Sequence, residues 1–312
     1  MSSQVDLIRL GTSEVMIPRM GVGAWAWGDT LFWNYGRDFD RADVEEAFAD
    51  SVEAGLTFFD TAEIYGFGRS EKILSELIPT SSTNLQIATK FMPYPWRVLS
   101  GQLEKALQGS LDRLHQQSVD LYQIHQPLPF RSQDVWLRAM LDQHRNGRLR
   151  AIGVSNFNLR QTRNANEILT EQGFSLASNQ VEYSLLDRAI ESSGLLEYCQ
   201  NHGVTVIAYS PLAQGLLTGK YSADNPPPGA RGRRVGRRTW ERLEPLLAVM
   251  KRIGQEQGGH SPAQVALNWV MAKGAVPIPG AKNGRQARDN AGALGWELSQ
   301  DQIAELDRLS SQ

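Results

Sequence analysis

The sequence predicts a (β/α)₈ TIM barrel, an α/β fold in which eight parallel strands alternate with helices. Eight short runs rich in apolar and β-branched residues recur along the chain, and amphipathic helical stretches separate them. Polar residues at positions 60, 90, 125, 155 and 180 end consecutive runs, so the intervals of 30, 35, 30 and 25 residues each fit one strand and one helix. No long polar linker interrupts the 312 residues, and we expect a single barrel domain over 1–312.

The predicted strands cover residues 20–25, 56–60, 85–90, 119–125, 149–155, 176–182, 204–210 and 275–280. Helices are predicted at 41–55, which ends at Gly55, and at 100–117, where leucines at 103, 107, 111 and 114 form one stripe. A further helix starts at Ser70, and two more lie near 240–257 and 261–273. The first twenty residues predict a β-hairpin across the bottom of the barrel, and 284–294 and 299–310 predict extra C-terminal helices.

Composition favours a small-molecule partner over nucleic acid, because 32 basic and 34 acidic residues give a net charge of only -2. Cys199 is the single cysteine, which excludes a disulfide framework and a thiolate metal cluster and fits a reducing compartment. No apolar run reaches the roughly 18 residues of a membrane span, and the first residues lack the order of a signal peptide. We expect a cytoplasmic protein without membrane contact or a bound metal, and either a monomer or a homo-oligomer.

A proline- and arginine-rich segment, residues 224–238, carries five arginines between Arg231 and Arg238. Its composition cannot continue a helix or a strand. Two interpretations stay open: a solvated loop, or a cover over an anionic ligand, since long loops in compact domains are often functional.

Polar and aromatic residues gather where the predicted strands end, which is the face that carries the active site in barrels of this kind. They are Trp25, Asp60, Lys90, His125, Ser155, Asn156, Gln180, Tyr209 and Ser210. Buried ionisable groups cost several kcal/mol unless they are paired, so a purely structural core would not select this set.

Lys90 is the most informative member, because a lysine that ends an apolar strand needs a partner for its ammonium group. Asp60 on the preceding strand can supply that partner, and a simple buried ion pair would explain both residues. Tyr65, five residues after Asp60, favours a catalytic interpretation. An ammonium beside a phenol lowers its pKa and moves it toward useful proton transfer. His125 could then orient a substrate carbonyl by a hydrogen bond.

This set of residues resembles the aldo-keto reductase superfamily over essentially the whole chain. The matching blocks, in order, are GVGAW, FFDTAEIYGFGRSE, the lysine of IATK, SLDRLHQQSVDLYQIH, IGVSNF, NQVEYSLL, AYSPLAQGLLTGKY and VPIPGAKN. The resemblance implies that Tyr65 is the acid/base and that Lys90 lowers its pKa. It also implies that Asp60 is the carboxylate partner of Lys90 and that His125 orients the carbonyl.

The same resemblance implies that NADPH lies across the barrel mouth. Ser155, Asn156 and Gln180 would hold the carboxamide, Tyr209 would stack on the nicotinamide ring, and residues 210–216 would follow the pyrophosphate. Donors in that segment would come from the backbone of Leu212 and Gly215 and from the Gln214 side chain, beside Ser210. Lys282 would bind the 2′-phosphate, near Gln286 and Asn290. The implied cofactor contacts also include Ala24, Trp25 and Gly280. The sequence has no GxGxxG fingerprint at a strand-helix turn, so it does not predict a Rossmann domain.

Within the superfamily, the runs VGAWAWGDTLFWNYGRDFD, ATKFMPYPWRVLSGQ and NAGALGWELS look most like the branch that contains plant pyridoxal reductase. That branch can lack the active-site histidine, whereas this chain has His125. The implied substrate pocket is aromatic, and a planar or hydrophobic aldehyde is the expected ligand. Its predicted lining is Trp25, Trp27, Trp33, Tyr94 and Trp96.

We therefore expect NADPH-dependent reduction of aldehydes and ketones to alcohols. The alternative is an NADPH-binding regulatory subunit of the potassium-channel β type, with little turnover and a membrane protein as partner. A barrel glycosidase that uses Asp60 and Glu182 is a further rival. It would not explain Lys90 and Tyr65 together.

Overall fold

A computed structural model describes residues 6–78, 85–228, 232 and 235–311. Its main sheet has eight parallel strands, and each strand pairs with its neighbours in chain order. They are β3 (Val22–Gly23), β4 (Phe58–Asp60), β5 (Gln86–Phe91), β6 (Val119–Ile124), β7 (Leu149–Ser155), β8 (Ser178–Glu182), β9 (Thr205–Tyr209) and β10 (Val276–Pro277). All eight predicted strands are confirmed, with ends that differ by a few residues.

The first and last strands of the sheet meet, which closes the barrel. Gly23 forms a parallel bridge with Gly280, and the N–H groups of Gly21 and Gly23 donate to the carbonyls of Pro277 (3.0 Å) and Pro279 (3.1 Å). The two backbones approach so closely that a Cβ on Gly23 would lie 2.9 Å from the carbonyl oxygen of Ile278. Glycine is therefore required at this seam.

Helices surround the strands and cover the apolar outer face of the barrel. Their bounds are α1 (Arg41–Glu53), α2 (Arg69–Leu77), α3 (Gly101–Leu114), α4 (Gln133–Arg145), α5 (Leu159–Thr170), α6 (Ala189–Ser192), α7 (Leu195–Asn201), α8 (Arg237–Glu256), α9 (Pro262–Ala272), α10 (Gly284–Ala291) and α11 (Gln300–Ser310). The predicted leucine stripe of α3 is buried at all four positions. The two predicted C-terminal helices, α10 and α11, are present.

The N-terminal hairpin consists of β1 (Leu7–Arg9) and β2 (Met16–Pro18). Leu10, Val15 and Ile17 are buried in one cluster with the inward residues of the barrel strands. The Gly11 N–H donates to Oγ1 of Thr205 (2.7 Å), the first residue of β9. The hairpin therefore covers the amino-terminal end of the barrel, as predicted.

Part of the arginine-rich segment is outside the described residues, including Arg231, Arg233 and Arg234. The interpretation of this segment as a cover over a ligand therefore stays a prediction. Arg237 opens α8 and pairs with Glu241 one turn later (2.8 Å). Among the helices in the described part of the chain, none has the length and hydropathy needed to cross a membrane.

Candidate active site

The interior of the barrel changes from apolar to polar along each strand. Side chains on a strand alternate between the two faces, so residues two apart point the same way. Ala88 and Leu121 belong to the apolar cluster above the hairpin, and the next inward residues are Lys90 and Gln123. The polar layer consequently forms at the carboxyl ends of the strands, where the hairpin and the helices no longer cover the interior.

Asp60 and Lys90 form an ion pair with almost no exposed surface, and the Lys90 Nζ also donates to the Thr61 carbonyl (2.9 Å). Nζ lies 3.3 Å from the Tyr65 hydroxyl. Burial lowers the pKa of Lys90, but the attraction of Asp60 and Tyr65 outweighs burial, so the pKa is raised above its ordinary value. Lys90 therefore stays charged at neutral pH. The structure thus brings three of the four predicted catalytic residues into one connected group.

Two buried glutamines complete the environment of Asp60. Its Oδ2 accepts hydrogen bonds from Nε2 of Gln180 (2.8 Å) and from Nε2 of Gln123 (3.2 Å), and the Gln180 Nε2 is 3.5 Å from the Gln123 Oε1. Sequence reasoning missed Gln123, because it considered only the last residue of each strand. The available signal was an amide two residues before His125, a spacing that puts both side chains on the same face of the strand.

Tyr65 lies at the start of a short 3₁₀ turn, Tyr65–Gly68, immediately before α2. Gly66 and Phe67 in this turn have positive φ values of 54° and 59°. A Cβ on Gly66 would lie 2.7 Å from the Gly28 carbonyl oxygen, so the tight turn depends on glycine. The Ser70 hydroxyl donates to the Ala24 carbonyl (2.8 Å) and fixes the start of α2 to the preceding loop.

Two ion pairs that sequence reasoning did not predict hold this turn against neighbouring elements. Glu71 is fully buried and accepts from Thr89 Oγ1 (2.6 Å) and from Arg113 Nε (2.6 Å). Glu63 binds Arg97 through both carboxylate oxygens. Because Thr89 directly precedes Lys90, the first pair couples α2 to the strand that carries the lysine.

The pKa of Tyr65 is raised above its ordinary value of 10, because burial outweighs the lowering effect of Lys90 and Asp60 adds to the increase. The expectation that Lys90 leaves this pKa lowered is therefore wrong in net direction. The contribution of Lys90 has the expected sign, but it is smaller than the desolvation of the phenol. Tyr65 is therefore protonated at neutral pH, and Lys90 is the neighbour that opposes the effect of burial on its acidity.

His125 faces Tyr65, and the two rings meet edge to face with centroids 5.6 Å apart. Burial, assisted by the Lys90 ammonium, lowers the pKa of His125 to about 3. Its Nδ1 is buried and has no hydrogen-bond partner within the part of the chain that the structure describes. The imidazole is thus neutral and carries one N–H, which suits it to donate a hydrogen bond without titrating near neutral pH.

The residues predicted to hold a carboxamide lie together at the ends of β7, β8 and β9. Ser155 Oγ donates to the Gln180 carbonyl (2.9 Å), and Asn156 Nδ2 donates to the His125 carbonyl (3.1 Å). The Tyr209 hydroxyl donates to Asn156 Oδ1 (2.9 Å). Their polar groups are therefore bonded to one another, and their predicted role in cofactor binding stays a prediction.

The segment after β9 is strained. Ser210, Ala213 and Gln214 adopt left-handed backbone conformations, with φ between 48° and 54°. Such conformations cost on the order of 1–3 kcal/mol each in non-glycine residues, and they cluster at ligand sites. The Gly215 N–H donates to the Leu212 carbonyl (2.9 Å), so the donor predicted there for a pyrophosphate is already used inside the turn.

Lys282 follows β10 and lies against the neighbouring loop after β3. Its Nζ lies 3.3 Å from the Trp33 carbonyl oxygen and over the rings of Trp33 (4.8 Å) and Phe39 (4.7 Å). The Lys282 N–H donates to Gln286 Oε1 (2.9 Å), and Asn290 Nδ2 donates to the Gly280 carbonyl (3.3 Å). The predicted phosphate and adenine residues thus share one region along α10 and the segment that precedes it.

Aromatic residues flank the mouth on two sides. Trp25 stacks on Phe32 (5.1 Å between centroids), meets Trp33 edge on (5.4 Å) and lies 6.1 Å from Tyr65. Tyr94 and Trp96 stack at 4.6 Å on the loop after β5, two strands away. Sequence reasoning included these residues except Phe32.

Two predicted contact residues belong to the core instead. Trp27 is fully buried, packs on Phe59 (6.0 Å) and donates its Nε1–H to the Ala281 carbonyl (2.8 Å). Its predicted place in the substrate pocket is wrong. Ala24 is also fully buried and has no surface from which to contact a cofactor, so that prediction is wrong too. Ala24 directly precedes the exposed Trp25, and Trp27 follows it by two residues. The sequence alone did not show which of these three side chains faces the mouth.

Comparison with known proteins gives the family. The model of the aldo/keto reductase family matches residues 19–311. The chain is 39% identical to pyridoxal reductase, chloroplastic, from Arabidopsis thaliana, over 92% of this chain and 82% of that protein. It is 32% identical to an NADH-specific methylglyoxal reductase from Escherichia coli, over 94% of both chains.

Solved structures agree with this result. A glycerol dehydrogenase from Gluconobacter oxydans superposes with a TM-score of 0.85 at 25% identity, covering 97% of this chain and 94% of the other. An aldo-keto reductase from Klebsiella pneumoniae in complex with NADPH gives 0.75 at 27% identity, covering 99% and 96%. The chain belongs to the aldo/keto reductase family and is an oxidoreductase. The sequence resemblance to the pyridoxal reductase branch is confirmed.

Proposed function

We propose that the protein reduces aldehydes and ketones to alcohols with NADPH and that Tyr65 is the proton donor. The observation that carries the proposal is the buried chain from Asp60 through Lys90 to the Tyr65 hydroxyl, 3.3 Å from Nζ. This chain ends at a phenol that is protonated at neutral pH and whose pKa the Lys90 ammonium lowers against the effect of burial. A buried ion pair with only a structural role would not need the phenol.

The residues present fit a nicotinamide dinucleotide. Tyr209 offers an aromatic face at the mouth, and Asn156 offers an amide beside it. Lys282 supplies a cation next to the first turn of α10, where an anionic phosphate is favoured. The hydride for the carbonyl carbon is the chemistry that bound NADPH supplies. A relative crystallised with NADPH supports this cofactor. Because another relative is NADH-specific, the preference for NADPH over NADH has to be measured.

The two hydrogen-bond donors in the centre have separate roles. Tyr65 transfers its proton to the carbonyl oxygen, and Lys90 stabilises the phenolate that remains. His125, neutral with one N–H, donates a hydrogen bond to the same oxygen and orients the carbonyl. Asp60 and Lys90 are buried and act through Tyr65 without contact with the substrate.

The substrate class is a planar or hydrophobic carbonyl compound. The stacks of Trp25 on Phe32 and of Tyr94 on Trp96 supply flat apolar surfaces on the loops after β3 and β5. The similarity to a pyridoxal reductase supports an aromatic aldehyde, and pyridoxal is the first compound to assay.

Steady-state kinetics of Tyr65→Phe tests the proposal. With NADPH and pyridoxal or 4-nitrobenzaldehyde, kcat should fall by about 10²–10⁴-fold, the usual contribution of general acid catalysis. NADPH affinity, followed by fluorescence, should stay within about threefold, because the phenol serves the reaction rather than cofactor binding.

Tyr94→Phe is the matched control, since it removes a hydroxyl at the same mouth without touching Lys90. It should retain kcat within about threefold. Near-normal turnover of Tyr65→Phe would refute the mechanism. Tight NADPH binding without turnover by the unaltered protein would instead favour a regulatory role.

A further inference from the structure

Gln123 lies on β6, inside the barrel, with no exposed surface. Its Nε2 donates to Asp60 Oδ2 (3.2 Å), while the other oxygen of Asp60, Oδ1, binds Lys90. Its own Oε1 is 3.5 Å from the Gln180 Nε2, which also donates to Asp60 Oδ2 (2.8 Å). The Gln123 amide therefore contacts both the carboxylate of the ion pair and the second amide that holds it.

An apolar side chain would occupy this position at a lower cost in free energy, because the polar atoms of a buried amide need hydrogen-bond partners. Ala88 and Leu121, the inward residues of the layer below, are apolar, whereas Gln123 lies in register with Lys90. The change from apolar to polar side chains on β6 occurs at the level of Asp60 and Lys90. A buried carboxylate that receives hydrogen bonds is stabilised in its charged form, and its geometry is fixed by the donors.

We propose that Gln123 is a positioning residue for carbonyl reduction, acting on Tyr65 through Asp60 and Lys90. This inference rests on the proposed function. The two glutamine donors orient the carboxylate so that Oδ1 faces Lys90, and Lys90 in turn lies 3.3 Å from the Tyr65 hydroxyl. The positive end of the Gln123 amide dipole also offsets part of the Asp60 charge, which otherwise opposes ionisation of Tyr65.

The consequence is an effect on proton transfer without a contact to substrate. When the amide is lost, Asp60 is held by one donor fewer and its charge is less offset. The Tyr65 phenolate becomes less stable, and the pKa of Tyr65 rises further. A weaker acid transfers its proton more slowly, so kcat falls while the Michaelis constant for the carbonyl compound changes little.

Gln123→Met and Gln123→Glu test this inference together. Methionine keeps the volume and removes the amide, and kcat should fall about tenfold on the plateau below the alkaline limb. The alkaline limb of kcat/KM, recorded with 4-nitrobenzaldehyde from about pH 6 to 11, should move up by about half to one unit. NADPH affinity, titrated by fluorescence in the absence of substrate, should change by less than about threefold.

Glutamate is nearly isosteric and separates positioning from packing. Beside Asp60 and buried, its pKa should be raised, so at the acid end of the range it keeps a proton and donates as the amide does. As pH rises it ionises and repels Asp60. The activity of Gln123→Glu should therefore approach that of the unaltered protein at low pH and fall as pH rises. A packing defect would not create this additional limb in the pH profile.

Ile124→Val, a buried change on the same strand that touches no polar group, is the control and should leave the pH profile unchanged. The inference would be overturned if the pH profiles of both Gln123 variants paralleled that of the unaltered protein and their kcat values stayed within about twofold of it. Loss of folding in both variants would also overturn it, since thermal denaturation would then assign Gln123 to stability. Absence of turnover in the unaltered protein would refute the proposed function instead.

Discussion

The two halves of the barrel mouth differ in how their polar groups are used. Around β4, β5 and β6, the side chains of Asp60, Lys90 and Tyr65 form one chain that points at the open mouth. Around β7, β8 and β9, Asn156 and Tyr209 are bonded to each other. The loop after β9 holds left-handed backbone and uses its Gly215 N–H internally.

This difference indicates which part of the candidate site is preorganised. The proposed proton-transfer centre needs no rearrangement, because its donors and charges already face one another in a buried setting. The proposed cofactor side must exchange internal hydrogen bonds for contacts with a ligand. Lys282 shows the same behaviour, since it lies against the Trp33 carbonyl and two aromatic rings. We expect changes in the first half to affect kcat and changes in the second to affect affinity.

The largest effect is expected for Lys90→Met, which breaks the preorganised half. The Asp60 carboxylate would stay buried without its cation, and removing one partner of a buried pair costs about 3–5 kcal/mol in unfolding free energy. kcat should also fall by at least about 10²-fold, because the phenolate loses its stabilising charge. Chemical denaturation and steady-state kinetics measure the two effects.

Two controls separate charge from packing. Arg41→Met removes a cation whose ion pairs with Glu45 and Glu76 are on the surface, and should cost no more than about 1 kcal/mol. In Lys90→Met combined with Asp60→Leu, stability should return while activity stays low, since no buried charge is left unpaired. If Lys90→Met alone were as stable as the unaltered protein, the assignment of Asp60 and Lys90 as a buried ion pair would be contradicted.

An intermediate effect is expected for Lys282→Ala on the proposed cofactor side. The 2′-phosphate would lose a charge-assisted hydrogen bond of about 1.5–3 kcal/mol, so NADPH affinity should fall by about 10–100-fold. NADH has no such phosphate, and its affinity should change by less than about threefold. Fluorescence titration with both cofactors measures the difference, and Arg285→Ala, which removes an exposed cation three residues later, is the control. Equal losses for NADPH and NADH would remove Lys282 from this role.

The smallest effect concerns the pH dependence of stability. The pKa of His125 is lowered to about 3, below the roughly 6.5 of an unfolded histidine. The unfolded chain therefore binds a proton that the folded protein does not, and stability falls as pH drops from about 7 toward 3. His125→Gln should remove this contribution, so its unfolding free energy should decline less steeply between about pH 7 and 4. His115→Asn, at an exposed position, is the matched control, and parallel curves for His125→Gln and the unaltered protein would contradict the expectation.

Sequence reasoning predicted which side chains converge, because the barrel places the strand ends on one face. Asp60, Lys90 and His125 lie at or within one residue of the ends of consecutive strands, so their convergence follows from topology once the strands are recognised. It did less well where the answer depends on which way a neighbouring side chain points. Trp27 is only two residues from Trp25, yet it donates to Ala281 in the core while Trp25 faces the mouth. The roles of the cofactor residues and the cytoplasmic location stay predictions.

The sequence by itself determined the eight strands, the covering helices and the residue types at the strand ends, because hydrophobic periodicity and spacing are local properties. Only the tertiary structure decided that Gln123 and Gln180 share an oxygen of Asp60, across separations of 63 and 120 residues. It also decided that burial of Tyr65 outweighs Lys90 and raises the phenol pKa. Desolvation and long-range hydrogen bonds depend on what surrounds a group in three dimensions, and no spacing along the chain encodes that balance.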